Sequence, residues 1–219
     1  MSQTWLFRNT ASKRGRSIVI TPNNSAFKAI STGRILLDKE HPNAAGQNMG
    51  QETTLLCLHG SGRVKVGDET FTLSRFDGVY VSRGTAFEVE TDEFVDIVEA
   101  SAPTNNVWPT KYVNFEQEVK NNEGLTLHVG AEPYLFFDMP KPGFGTQFIY
   151  SDLENPEFVQ PVYEDDAVTI VEGYHPNVAA PGYPVNFCWV LCSLEDDTWR
   201  TLANVNVQKG FETMPTGLR

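Results

Sequence analysis

The chain has 219 residues, enough to bury a full core either as one large β domain or as two repeats of roughly 100 residues each. A hydrophobic share of 40%, with 14 Phe, 7 Tyr and 4 Trp, excludes a disordered chain. The formal charge of -11 repels other polyanions and supplies no basic stripe, which excludes nucleic acid as an expected partner.

From the amino end, residues 1–16 mix Trp5, Leu6 and Phe7 with Arg8, Lys13, Arg14 and Arg16 and have no long apolar core, so they do not read as a secretion signal. No apolar run approaches the ~20 residues that span a bilayer, so no membrane partner is expected. Short β-rich runs cut by Gly, Pro, Asn and Asp then follow, which is the pattern of a sandwich or barrel. The first series of predicted strands is 17–21, 27–37, 53–60, 62–66, 69–73, 78–82, 86–90 and 94–100, with a hairpin turn at Gly67-Asp68. Residues 103–124 are polar, contain Pro109 and read as a linker with one short helical turn. The second series is 134–137, 145–150, 159–163, 167–171, 177–179 and 185–192. This divides the chain into an amino-terminal repeat, 1–102, the linker, and a carboxyl-terminal repeat, 125–219.

The two series contain an internal repeat. Asp77 to Gly84 leads to Thr85-Ala86, and Asp166 to Gly173 leads to Tyr174-His175, with the same number of steps from Asp to Gly. Each is a strand opened by an Asp turn and closed by a Gly that allows a sharp bend. Ala86 is therefore the counterpart of His175, so a histidine at this position comes only from the second repeat.

The four histidines divide on context. His59 ends an apolar strand and reads as structural, while His41 lies in a loop with nothing metal-like beside it. His175, between Tyr174 and Pro176, reads either as an aimed ligand or as a buried, hydrogen-bonded imidazole. His128 and Glu132 are four apart, so in an extended segment they share a face. With His175 from the opposite wall they would make a three-ligand site for Zn, Fe, Mn or Ni with positions open to substrate. Equally, Glu132 reads as a solvated loop carboxylate. Cys57, Cys188 and Cys192 form an odd set without paired metal spacing, and Cys188 and Cys192 read as small buried residues on one face of a strand. Thiols of this kind fit a reducing cytoplasm.

The segments 134–140, 143–150 and 173–182, the last reading Gly-Tyr-His-Pro-Asn-Val-Ala-Ala-Pro-Gly, resemble the 5-deoxy-glucuronate isomerase family of bicupins, which is related to the 5-keto-4-deoxyuronate isomerases. The resemblance implies an all-β fold of two double-stranded β-helix (cupin) barrels. It also implies a divalent metal in the second barrel, held by a His-x-His segment, a glutamate at Glu132 and a histidine at His175. The His-x-His segment is missing here, which would leave the second repeat truncated, with His128 as the substitute ligand. The activity implied is metal-dependent aldose–ketose isomerisation of a uronate-like sugar acid, a step of inositol catabolism, with Glu132, Tyr134, Gln147 and Tyr174 as catalytic or hydroxyl-orienting groups. Tyr150 and Tyr183 are further polar groups near the motif, and Arg83 and Lys141 are conceivable carboxylate partners. Two other readings stand beside it: a repurposed, non-catalytic cupin that binds a sugar-like ligand or serves as a subunit, and a different metal-dependent cupin enzyme. Strand edges exposed by the truncation lead to the expectation of a homodimer or larger homo-oligomer.

Overall fold

The computed structural model describes residues 4–119 and 132–190. Strand β1 (Leu6–Phe7) precedes β2 (Gly15–Ile20), β3 (Ser31–Asp38), β4 (Asn43–Gln47) and β5 (Gln51–Gly60). Next come β6 (Gly62–Val66), β7 (Glu69–Leu73), β8 (Gly78–Val81), β9 (Ala86–Glu90), β10 (Phe94–Pro103) and β11 (Lys111–Val113). A short helical turn, Phe115–Val119, closes this part, and β12 (Glu132–Phe137), β13 (Gly145–Ile149), β14 (Phe158–Val162), β15 (Ala167–Ile170), β16 (Asn177–Ala179) and β17 (Asn186–Trp189) follow. The fold is all-β, and among the described residues no helix is long and apolar enough to cross a membrane.

The first repeat is a complete two-sheet barrel. One sheet runs β11-β8-β5-β10-β3-β2, the other β4-β9-β6-β7, and every pairing is antiparallel. Alternation along the strands drives the packing. Val95 and Ile97 point into the barrel with Leu37, Leu55, Leu73 and Phe87, whereas Val98 and Ala102 point outward. Each such fully buried Val, Leu, Ile or Phe contributes about 1.5–3 kcal/mol over leaving it exposed. The barrel interior is thus occupied by its own side chains.

The second repeat follows the same order with fewer strands: β1-β15-β12-β17 in one sheet and β14-β13-β16 in the other. Its turns reproduce those of the first. The Phe76 amide donates to Cys57 O at 2.6 Å and the Asp165 amide to Phe136 O at 3.0 Å. Asp77 Oδ2 accepts from the Ser74 amide, as Asp166 Oδ2 does from that of Tyr163, each at 2.9 Å. Phe76 and Asp165 share a left-handed backbone, with φ of 70° and 63°. The Asp-to-Gly repeat read from the sequence is therefore a repeated three-dimensional turn and strand. Among the described residues the second repeat holds no counterpart of β2, β3 and β4.

Several elements depart from the sequence reading. Residues 27–30, expected as strand, are irregular and bent, the Phe27 amide bonds to Ser25 Oγ, and Phe27 and Ile30 plug the interface between repeats. β4 was not expected, because Asn-Ala-Ala-Gly-Gln contains no β-branched or aromatic residue. It pairs with β9, and Gly46 is required there because an added Cβ would lie 2.4 Å from the Phe87 ring. Residues 6–7, placed with the first repeat, pair with β15 of the second, and residues 111–113, placed in the linker, pair with β8 of the first. Each short strand covers the same edge of its sheet.

The repeats meet along the outer faces of β10 and β12, where Ile20, Leu58 and Val98 pack on Leu135, Phe137 and Ala167. A charge network, buried at Arg34 and Asp96, crosses this seam. Arg34, 0% exposed, bonds both carboxylate oxygens of Asp96 and reaches Asp165 at 3.3 Å. His59 Nε2 lies 2.7 Å from Asp138 Oδ1, and Asp138 is also paired with Arg75. Truncating one partner of such a buried set leaves the others uncompensated, so Arg34→Ala is expected to lower stability by about 3–5 kcal/mol in urea unfolding. A loss well under 1 kcal/mol would show that the seam does not depend on this charge.

Candidate functional site

The site begins with the facing of β12. Tyr134 and Phe136 enter the core of the second barrel while Leu135 and Phe137 pack outward on the first repeat. Glu132 has the same parity as Tyr134, and its side chain is 5% exposed. Beside β12 in the same sheet, β15 ends at Ile170, opposite Glu132, and the chain crosses to the other sheet through Gly173, where φ is 92° and an added Cβ would lie 3.0 Å from Tyr150 O, so a side chain would be strained. That bend delivers His175. Its Nε2 lies 2.9 Å from Glu132 Oε1, its Nδ1 lies 2.8 Å from Gly173 O, and the side chain remains 29% exposed.

Both ring nitrogens therefore face oxygens. A carbonyl can only accept, so Nδ1 carries a proton toward Gly173. Nε2 and Oε1 must then share a second proton, or a cation in its place. Burial pulls the imidazole toward its neutral form, but the hydrogen bond to Glu132, that to Gly173 and the carboxylate charge outweigh it, so the His175 pKa rises above its ordinary value. The pair fits a divalent ion as two adjacent ligands: imidazole nitrogen and carboxylate oxygen are suitable donors, and an Nδ1–H anchored on a backbone carbonyl is how metal-bound imidazoles are commonly oriented. Among the described residues no group of three His, Cys, Asp or Glu side chains is arranged to hold a metal ion. His128, the third expected ligand, lies outside the described residues, as does Cys192.

The other expected site residues take distinct places. The Tyr134 ring stacks on Phe187 at 4.3 Å and meets the His175 ring edge-on at 5.7 Å. Burial, then the nearby Glu132 charge, pushes its phenol above the ordinary range, which keeps it a protonated donor. Gln147 lies on the inner side of β13, and its amide is engaged with the carbonyls of Phe148, His175 and Pro176. Tyr174 is 36% exposed and its ring lies against that of Tyr150. Arg83 is in the first repeat, bonded to Thr104 O at 3.3 Å. Of the remaining histidines, His59 sits in the charge network of the seam, as its structural reading required, and His41 lies 3.3 Å from Asp38. Cys57 and Cys188 are free thiols pushed up to about 12 by burial, which makes them poor nucleophiles. The sequence reading missed the Gly173 carbonyl as the anchor of Nδ1. The Gly-x-His spacing is its only trace in the sequence.

Residues 126–209 match the KduI/IolB family. The matched segment contains Glu132, Tyr134, Gln147, Tyr174 and His175, and the match supports the resemblance drawn from the Gly-Tyr-His-Pro motif. A 5-deoxy-glucuronate isomerase from Lacticaseibacillus casei is 24% identical over 189 residues, covering 60% of this chain and 70% of that protein. Among solved structures, an IolB-like protein from Salmonella typhimurium LT2 superposes with a TM-score of 0.69 at 18% identity, covering 85% of this chain and 91% of the other. A putative glyoxylate-induced protein from Pseudomonas aeruginosa gives a TM-score of 0.54 at 12% identity, covering 80% and 77%. Protein YlbA from E. coli gives 0.53 at 15%, covering 77% and 78%. At these identities the structural likenesses establish the fold.

The pairing of His175 with Glu132 has a titration signature in metal-free protein. The His175 ring is expected to titrate above about 6.5 by NMR, and Glu132→Gln to bring the midpoint down, since the burial stays while the charge goes. Because the folded value is raised, the stability gained from charging His175 is complete below about 6.5 and is lost as pH rises through the folded midpoint. A midpoint unmoved by Glu132→Gln would contradict the pairing.

Proposed function

We propose that the chain is a divalent-metal-dependent aldose–ketose isomerase acting on a uronate-like sugar acid, similar to 5-deoxy-glucuronate isomerase. The observation that carries this reading is the Glu132–His175 pair, 2.9 Å apart inside the second barrel, within the segment that matches the KduI/IolB family. His128, Glu132 and His175 would hold the ion, with Zn, Mn, Fe and Ni as candidates. When bound, the ion supplies Lewis-acid polarisation of the substrate carbonyl and its neighbouring hydroxyl.

The chain's own groups account for the proton movements. The reaction moves one proton from the carbon bearing the hydroxyl to the former carbonyl carbon, and the hydroxyl proton to the former carbonyl oxygen, with no net oxidation. A carboxylate can carry the carbon-bound proton, and Glu132 would do so through the oxygen that does not hold the ion. Tyr134, held protonated by burial, donates its O–H to a substrate oxygen as charge develops there. Tyr174, at the exposed rim, orients the sugar hydroxyls.

Protein stripped with a chelator and reloaded with each candidate metal provides the test. The reading predicts stoichiometric uptake of at least one metal and metal-dependent conversion of 5-deoxy-glucuronate or a related uronate to the ketose. His175→Ala and Glu132→Gln are each expected to lower kcat/KM by at least about 100-fold while leaving the circular dichroism spectrum unchanged. Absence of stoichiometric metal after reloading, or full turnover by His175→Ala, would overturn it. The proposal includes a cytoplasmic homodimer that shields the strand edges of the second repeat left unpaired among the described residues, for which light scattering should give twice the chain mass; a clean monomer would remove that part.

A further inference from the structure

Pro176 interrupts the ladder that carries His175. Strand β13 pairs with β16, with Gln147 opposite Asn177, and beyond the bend Tyr150 and Tyr174 exchange two backbone hydrogen bonds of 2.9 Å. The same register sets Phe148 opposite Pro176. There the Phe148 amide donates to Pro176 O at 3.0 Å, but proline has no N–H with which to return the bond. The Phe148 carbonyl thus loses the ladder donor that any other residue at 176 would supply.

The Gln147 side chain takes over that task. Its Nε2 lies 2.8 Å from Phe148 O, 2.8 Å from His175 O and 3.1 Å from Pro176 O, so two amide protons are shared over three carbonyls. Its Oε1 lies 3.4 Å from Asn177 Nδ2, and the residue is 0% exposed, so water does not compete for these bonds. The amide grips the backbone of the residue whose ring faces Glu132. We infer that Gln147 is a positioning residue rather than a catalytic one: it replaces the N–H that Pro176 lacks and fixes the His175 backbone so that Nε2 meets Glu132. The inference rests on the reading of His175 as the site's central ligand.

The pairing of Gln147 with Pro176 makes the inference testable by rescue. Gln147→Met keeps the length and removes the donor, whereas Pro176→Ala restores a ladder N–H to Phe148 O. In Gln147→Met, the His175 Nδ1–H, read by NMR in metal-free protein, is expected to exchange roughly tenfold faster, and the Kd for Co(II) alone to rise roughly tenfold. Adding Pro176→Ala is expected to restore most of both. Unchanged exchange and Co(II) affinity in the single variant, or losses that Pro176→Ala does not recover, would overturn the inference. If Gln147→Met does not fold, Pro176→Ala alone decides: the Gln147 side-chain amide, displaced from Phe148 O, is expected to exchange faster than in the unaltered chain, and unchanged protection would count against it. The Nδ1–H readout requires neither metal nor substrate, so it stands or falls separately from the isomerase reading.

Discussion

The imidazole of His175 is held at both ends by oxygen, the Gly173 carbonyl on one side and the Glu132 carboxylate on the other. Two acceptors cannot share a neutral imidazole, so a second proton or a cation must sit between His175 and Glu132. Much of the surrounding structure serves that requirement. Gly173 allows the bend, Tyr150 and Tyr174 clamp its base, and the Gln147 amide mends the ladder that Pro176 breaks. On the other wall, β12 is immobilised by its outer face: Leu135 and Phe137 are packed on the first repeat, and Asp138 at its end is bound by His59 and Arg75.

The first repeat shows what the same architecture becomes without a ligand. The matching turns align Cys57 with Phe136, which sets Thr53 of β5 where Glu132 stands in β12. Thr53 accepts a hydrogen bond from Asn48, which also donates to Glu99, and both oxygens of that buried carboxylate are taken by Arg16 at 2.7 Å. A guanidinium therefore provides the positive charge inside the first barrel. In the second barrel the charge is a proton or a bound cation, and His175 keeps an exposed edge through which a substrate can approach. Ala86, the counterpart of His175, has no chemistry to contribute.

The local features were the legible ones. Gly67-Asp68 sits in the expected hairpin turn, with Val66 paired to Glu69, and the two Asp-to-Gly segments are a strand and bend in both repeats. These features announce themselves through residues with special backbone preferences. Long-range contributions carried no such mark. The edge strand β1 reaches its partner across most of the chain, and Arg34, paired with Asp96 within the first repeat, meets Asp165 only where the two repeats come together. Gln147 was picked out as a polar group near the motif, but a side-chain amide that serves backbone carbonyls looks the same in sequence as one that binds sugar. Glu132, which read equally as a loop carboxylate, is resolved by β12 starting at that residue, which turns it inward with Tyr134.

Anomalous diffraction at the manganese edge, from crystals grown with Mn(II), tests the central claim most directly. The predicted result is one strong peak bonded to both His175 Nε2 and a Glu132 carboxylate oxygen, with His175 Nδ1 still on Gly173 O. A peak elsewhere in the barrel, or none while His175 and Glu132 remain directly hydrogen-bonded at saturating metal, would contradict it.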